Sequence, residues 1–170
     1  MAKSALIVDI TPLKRQPGKR QRFELSLPPP DGVVLETAEV RAAELHLDLQ
    51  LEGAGEEVIA QGSITVDWTG PCRRCLEVRD GSTHIELREV FQLRPIEGET
   101  YPLAENDVDL EPMVRETVLL NLPIAPLCRE DCAGPDPSRF PTTVEVEPQP
   151  DAEPPADPRW AALSEITFDN

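Results

Sequence analysis

The sequence predicts an α+β fold: a predominantly antiparallel β-sheet with one main helix and a Pro-rich acidic C-terminal tail. Leu45, Leu47, Leu49 and Leu51 alternate with Glu44, His46, Asp48 and Gln50, a period of two that builds one apolar and one wet face. Gly53-Ala54-Gly55 reads as a hairpin turn, and Val58, Ala60, Gly62, Ile64, Val66 and Trp68 carry the same period on the returning strand. A helical period stands out over 110–122, where Leu110, Met113, Val114 and Val118 share one face.

Ahead of this hairpin, residues 5–10 (A-L-I-V-D-I) read as a short strand and residues 11–22 as a loop punctuated by Pro and Gly. Phe23, Leu25 and Leu27 alternate as in a half-buried strand, which Pro28, Pro29 and Pro30 end before the Asp31-Gly32 turn. Gly62 marks a bulge in the returning strand. A cysteine turn and Asp80-Gly81 follow. Ile85, Leu87, Phe91 and Leu93 then share a parity that Glu89 interrupts. Residues 97–109 read as an acidic loop. Asp109 is placed to cap the helix, with Glu111 and Pro112 in its first turn, and Pro123 stops it near Leu122.

These elements place one globular β-rich domain at 1–132, with five or six strands. A Pro/acidic linker follows at 133–157, with a brief strand at 143–146. A short terminal helix and end occupy 158–170. There Asp157 and Pro158 start a turn whose stripe, Trp160, Leu163 and Ile166, suits docking on a partner or packing back on the domain. No internal repeat is evident.

The formal net charge of −16 disfavours long-range attraction to nucleic acid or anionic membrane and suits a basic partner. No stretch is long and apolar enough to span a bilayer. The opening residues meet Asp9 before an apolar region develops, so a signal peptide is not expected and the cytoplasm is. Thiols stay reduced there. The four cysteines form two tight pairs, Cys72 with Cys75 and Cys128 with Cys132. Two such turns brought together offer a tetrahedral pocket for one structural Zn2+. Inert thiols, and redox chemistry or disulfides, are the other readings. The redox reading lacks the helix that lowers a thiol pKa after C-x-x-C, since L-E-V-R-D-G is turn and strand sequence.

Catalysis is not expected. The only histidines, His46 and His84, fall by parity on the wet face, and no Gly-rich phosphate loop, Ser elbow or His-Glu metal helix occurs. No small-molecule substrate is implied. One basic stretch runs against the overall charge: Lys14, Arg15, Lys19, Arg20 and Arg22, with no acid between Asp9 and Glu24. Arg73 and Arg74 lie within the first cysteine turn. These seven are candidates for contact with RNA phosphates or a partner, the alternative being a solvated loop.

The order of motifs resembles the bacterial YceD family, the large ribosomal RNA subunit accumulation proteins. L-K-R-Q-P-G is followed by a hairpin into C-R-R-C-L-E. Next comes D-L-E-P-M-V-R-E-T-V-L-L-N-L-P-I-A-P-L-C-R-E-D-C-A-G, and the chain closes with D-P-R-W-A-A-L. The resemblance implies a non-enzymatic accessory role in large-subunit assembly and 23S rRNA accumulation, through a basic large-subunit ribosomal protein or the rRNA. It matches Cys72, Cys75, Cys128 and Cys132 to family cysteines. Many members continue with a further cysteine pair, where this chain has Gly134 followed by Pro135-Asp136-Pro137. A metal relying on that pair has no site here; one relying on the four cysteines present does. The alternative function is a zinc-stapled interaction or regulatory module unrelated to the ribosome.

Overall fold

The computed structural model of the chain describes residues 5–16, 18–36 and 38–140. In chain order its elements are β1 (Ile7–Asp9), α1 (Thr11–Arg15), β2 (Arg20–Leu27), β3 (Val34–Leu35), β4 (Val40–Ala54), β5 (Glu57–Pro71), β6 (Val78–Gln92), β7 (Tyr101–Pro102), β8 (Asp107–Asp109) and α2 (Glu111–Asn121). The long strands β4, β5 and β6 are the middle of a six-stranded sheet of order β2-β4-β5-β6-β7, with β3 also pairing β4. Every pairing in it is antiparallel except β6 with β7, which is parallel.

The alternation in the sequence is the physical basis of the sheet. Leu45, Leu47, Leu49 and Leu51 on β4 and Val58, Ala60, Ile64 and Val66 on β5 are all buried on one face. Burying a Leu or Val side chain is worth about 1.5–3 kcal/mol. Helix α2 brings Met113, Val114 and Val118 to the same core, and α1 brings Leu13. The opposite face holds His46 and His84, as their parity predicts. Ser26 Oγ lies 2.9 Å from His46 Nδ1, and Thr65 Oγ1 lies 3.0 Å from His84 Nδ1.

Several expectations are corrected. Residues 11–22 are not a continuous loop: they contain α1, and β2 begins at Arg20. Helix α1 has five residues, too few for a period to show, and buries only Leu13. Lys14 and Arg15 lie in its last turn, where cations complement the helix dipole. The acidic segment 97–109 contains β7 and β8. Asp80-Gly81 lies inside β6, opposite Thr69 and Trp68. A Cβ on Gly81 would stand 2.3 Å from the Trp68 ring, so this glycine makes room for the indole. Leu93 falls just past β6 and is exposed.

Gly62 does not mark a bulge. It pairs in regular register with Leu49 and Leu87, and the register shift lies instead between Ala42 and Glu44. Gly62 has φ +142°, and its Cβ would stand 2.1 Å from the Asp48 carbonyl oxygen. The position needs glycine because the backbones approach closely there.

A local two-fold relation, not evident from the sequence, links the two ends of the domain. β1 and β8 form their own antiparallel ladder centred on Val8 opposite Val108. Each strand then runs into a helix, through D-I-T-P-L on one side and D-L-E-P-M on the other. Ile10 N–H donates to Asn106 O, and Leu110 N–H donates to Leu6 O, both at 2.9 Å. Asp9 Oδ1 accepts from Thr11 N–H at 2.8 Å, and Asp109 Oδ1 accepts from Glu111 N–H at 3.0 Å. The N-cap of α2 is Leu110 and not Asp109 as expected; Asp109 stands one residue earlier and accepts only from the Glu111 amide.

The expected strand at 143–146, the helix from 158, its stripe Trp160, Leu163 and Ile166, and the linker beyond residue 140 lie outside the described residues.

Gly62→Ala is expected to destabilise the chain by about 3 kcal/mol or more, because it adds a clash to a left-handed backbone. Gln61→Ala, its neighbour on the wet face, is expected to cost less than about 1 kcal/mol. Urea unfolding measures both, and equal effects would contradict the close-approach account.

Candidate metal centre

The four cysteines converge from two turns distant in the chain. Residues 72–77 are the tip joining β5 to β6. Cys72 N–H donates to Glu77 O and Leu76 N–H donates to Cys72 O, both at 2.9 Å. Leu76 takes φ +63° to close this turn. Beyond α2, Leu122 and Pro126 are buried and direct the chain to Cys128. Arg73 N–H then donates to Pro126 O at 2.9 Å, joining the two segments backbone to backbone.

The Arg74 guanidinium reinforces that junction. Its Nη1 donates to Glu130 O at 2.8 Å and to Cys132 O at 3.1 Å. One side chain from the first turn therefore holds the backbone of the second.

All four sulfurs lie within 4.8 Å of one another, and all four are free thiols. Cys72 Sγ is 3.9 Å from Cys132 Sγ, and Cys75 Sγ is 3.8 Å from Cys128 Sγ. Four thiolates on a tetrahedral ion at about 2.3 Å place neighbouring sulfurs about 3.8 Å apart, so the residues fit zinc. An all-sulfur donor set also favours zinc over magnesium or calcium. Cys72 and Cys132 are buried. Cys75 and Cys128 open onto a cleft of about 390 Å3 that Glu77, Arg79 and Arg129 also line.

The thiols differ in acidity. The Cys75 amide first, then the Cys128 amide at 3.4 Å, lower the Cys72 thiol to about 6. Hydrogen bonding to the Cys132 thiol first, and burial next, push Cys128 up to about 12. The Glu77 amide pulls Cys75 down, but burial and Cys72 outweigh it and leave that thiol raised. Backbone dipoles thus stabilise one thiolate, and further negative charge at this spacing needs a cation among the sulfurs.

The seven basic candidates do not gather into one patch of free charge. Arg20 pairs with Glu52 at 2.9 Å, and Arg22 forks onto Asp48 at 3.0 and 2.8 Å. Lys14 Nζ donates to Glu105 O at 2.6 Å, and Arg74 is engaged as described. Arg15, Lys19 and Arg73 are exposed and make no ion pair among the described residues.

The sequence reading missed a second cluster. Glu44, His46 and Asp67 bring three ligand atoms within 4.8 Å on the wet face. The register shift beside Glu44 underlies it, and no spacing rule reveals a cross-strand bulge.

Arg74→Ala is expected to cost about 1–3 kcal/mol and, in the chain loaded with Zn2+, to speed transfer of the ion to a chelator, because two carbonyls lose their donor. Arg73→Ala is expected to stay within about 0.5 kcal/mol. Chemical denaturation and chelator competition measure this, and a larger effect at Arg73 would contradict it.

The family model described as large ribosomal RNA subunit accumulation protein YceD matches residues 60–167, which include both cysteine turns. An uncharacterized protein of Mycobacterium leprae (strain TN) is 30% identical over 96% of this chain and 78% of its own length. Uncharacterized proteins of Mycobacterium bovis and of Mycobacterium tuberculosis (strain H37Rv) are each 32% identical over 96% of this chain and 82% of theirs. No solved structure matches. The chain therefore belongs to the YceD family of large ribosomal RNA subunit accumulation proteins.

Proposed function

We propose that this chain is a non-enzymatic accessory factor in cytoplasmic assembly of the large ribosomal subunit. It promotes accumulation of 23S rRNA by binding a basic large-subunit ribosomal protein or the rRNA. Membership of the YceD family carries this reading. The chain's physical chemistry favours the protein partner. A net charge of −16 repels phosphate, and Arg20 and Arg22 are already neutralised by acids. The same charge attracts a ribosomal protein and can shield it until it meets rRNA. Of the seven basic candidates, Arg15, Lys19 and Arg73 are the ones left for local phosphate contact.

One structural Zn2+ on Cys72, Cys75, Cys128 and Cys132 would cross-link the β5–β6 tip to the segment after α2. Its role is to hold the fold, and binding is the activity. Trp160, Leu163 and Ile166, outside the described residues, are the sequence's apolar candidates for docking on the same partner or packing back on the domain. A zinc-stapled interaction module unrelated to the ribosome is the second reading; the thiol cluster favours it, because that cluster requires no ribosome.

Depleting the chain in its host is expected to lower the ratio of 23S to 16S rRNA and the large-subunit peak in a sucrose gradient. An unchanged ratio and profile would remove the assembly role and leave the second reading. Metal analysis of untagged protein is expected to show about one zinc per chain, abolished in Cys72→Ser. Zero metal with four freely titrating thiols would retire the zinc.

A further inference from the structure

The outer edge of β6 is mostly open. β5 pairs the whole of β6, but on the other side β7 covers only Phe91 and Gln92 among the described residues. The chain approaching β7 bends away at residues 96–100, where Thr100 Oγ1 accepts from Ile96 N–H at 2.8 Å. A groove of about 430 Å3 remains where β7's track would continue, between β6 residues 85–89 and the flank of α2. Five strand residues span about 16 Å, room for a short extended segment. Such an edge is a template for strand addition.

The walls of the groove select the sequence of that segment. Ile85 and Leu87 form an apolar base, and Leu120 of α2 stands on the rim, 77% exposed. Glu89, Glu99 and Glu116 line it, while Glu86 and Arg88 border it at the strand edge, Glu86 lying 3.0 Å from His84 Nε2 on the wet face. Neither Glu89 nor Glu116 has an ion-pair partner among the described residues. The Tyr101 hydroxyl donates to Glu116 Oε2 at 2.8 Å and holds that carboxylate at the groove. Burial first, and the Glu116 charge second, raise the proton affinity of Glu89.

We propose that this groove receives an extended basic segment of the protein partner as a strand added to β6, with a Lys or Arg side chain seated between Glu89 and Glu116. The proposal rests on the reading that the partner is a basic ribosomal protein. Main-chain hydrogen bonds to the edge supply affinity, and the two carboxylates supply selectivity. Glu89, Glu99 and Glu116 make the same groove repel RNA.

The test uses the full chain and RNA-free large-subunit ribosomal proteins extracted from the same host. Hydrogen exchange is followed at residues 85–89 before and after a single bound protein is identified and purified. Edge amides are expected to exchange freely in the isolated chain and to become protected in the complex. Glu89→Lys and Glu116→Lys are each expected to weaken binding on the order of tenfold or more. Glu89→Gln is expected to weaken it too while leaving the Tm of the free chain unchanged or higher, which separates a binding role from a folding one. Binding without protection, and without an effect of either reversal, overturns the groove and leaves the assembly reading standing. Protection already present in the isolated chain assigns the edge to the chain's own residues and overturns it as well. Failure of every ribosomal protein to bind removes the protein-partner reading and the groove together.

Discussion

Four thiols drawn to within 4.8 Å of one another impose the constraint on which this architecture turns. Amide donors stabilise charge at Cys72, but further thiolates at such spacing repel unless a cation lies among them. The cluster forms because two unrelated demands meet at one end of the molecule. The β5–β6 hairpin must turn at residues 72–77, and α2 must stop before Pro123 and deliver the chain to Cys128. Arg73 and Arg74 then bind one turn to the other through backbone carbonyls. Fixing α2 at its C-terminal end also fixes its flank beside β6, which is what shapes the acidic groove. The thiol centre and the groove are thus two consequences of one placement of α2.

At the other end of α2 a different device sets its position. The β1–β8 ladder brings the two D-x-x-P segments into a two-fold relation, each launching a helix over the sheet. Ile10 and Leu110 are buried equivalently beneath it. Ladder and thiol cluster together clamp α2 at both ends, so packing of a few apolar residues suffices between them.

Much of this was legible in the sequence because period-two alternation is a direct record of burial. Parity placed Leu45 to Leu51 inward and His46 and His84 outward. The helix showed because Leu110, Met113, Val114 and Val118 span about two turns on one face. The cysteine pairs showed because thiols are few and tightly spaced. What escaped is structure that depends on partners distant in the chain. Strands β7 and β8 are too short to carry a period, and helix α1 rests on Leu13 alone. Gly62 signalled an unusual backbone, yet whether that meant a bulge or a close approach depended on Asp48 across the hairpin. The basic stretch was visible as composition, but its pairing with Asp48, Glu52 and the Glu105 carbonyl is a property of register. The groove at Glu89 and Glu116 had no local signature, since it joins a strand edge to a helix flank.

Family membership carries the functional account, and the charge pattern favours a protein partner within it. A chain of net charge −16 whose Arg20, Arg22 and Lys14 are already engaged suits a cation-rich partner, which the proposed role supplies as a large-subunit protein. The most direct measurement is capture of the full chain with its partners from native lysate, half treated with RNase, with protein and RNA identified in both halves. The account predicts that a basic large-subunit ribosomal protein is retained after RNase and released as salt is raised. Loss of all ribosomal protein on RNase treatment, or its absence from both halves, would contradict it.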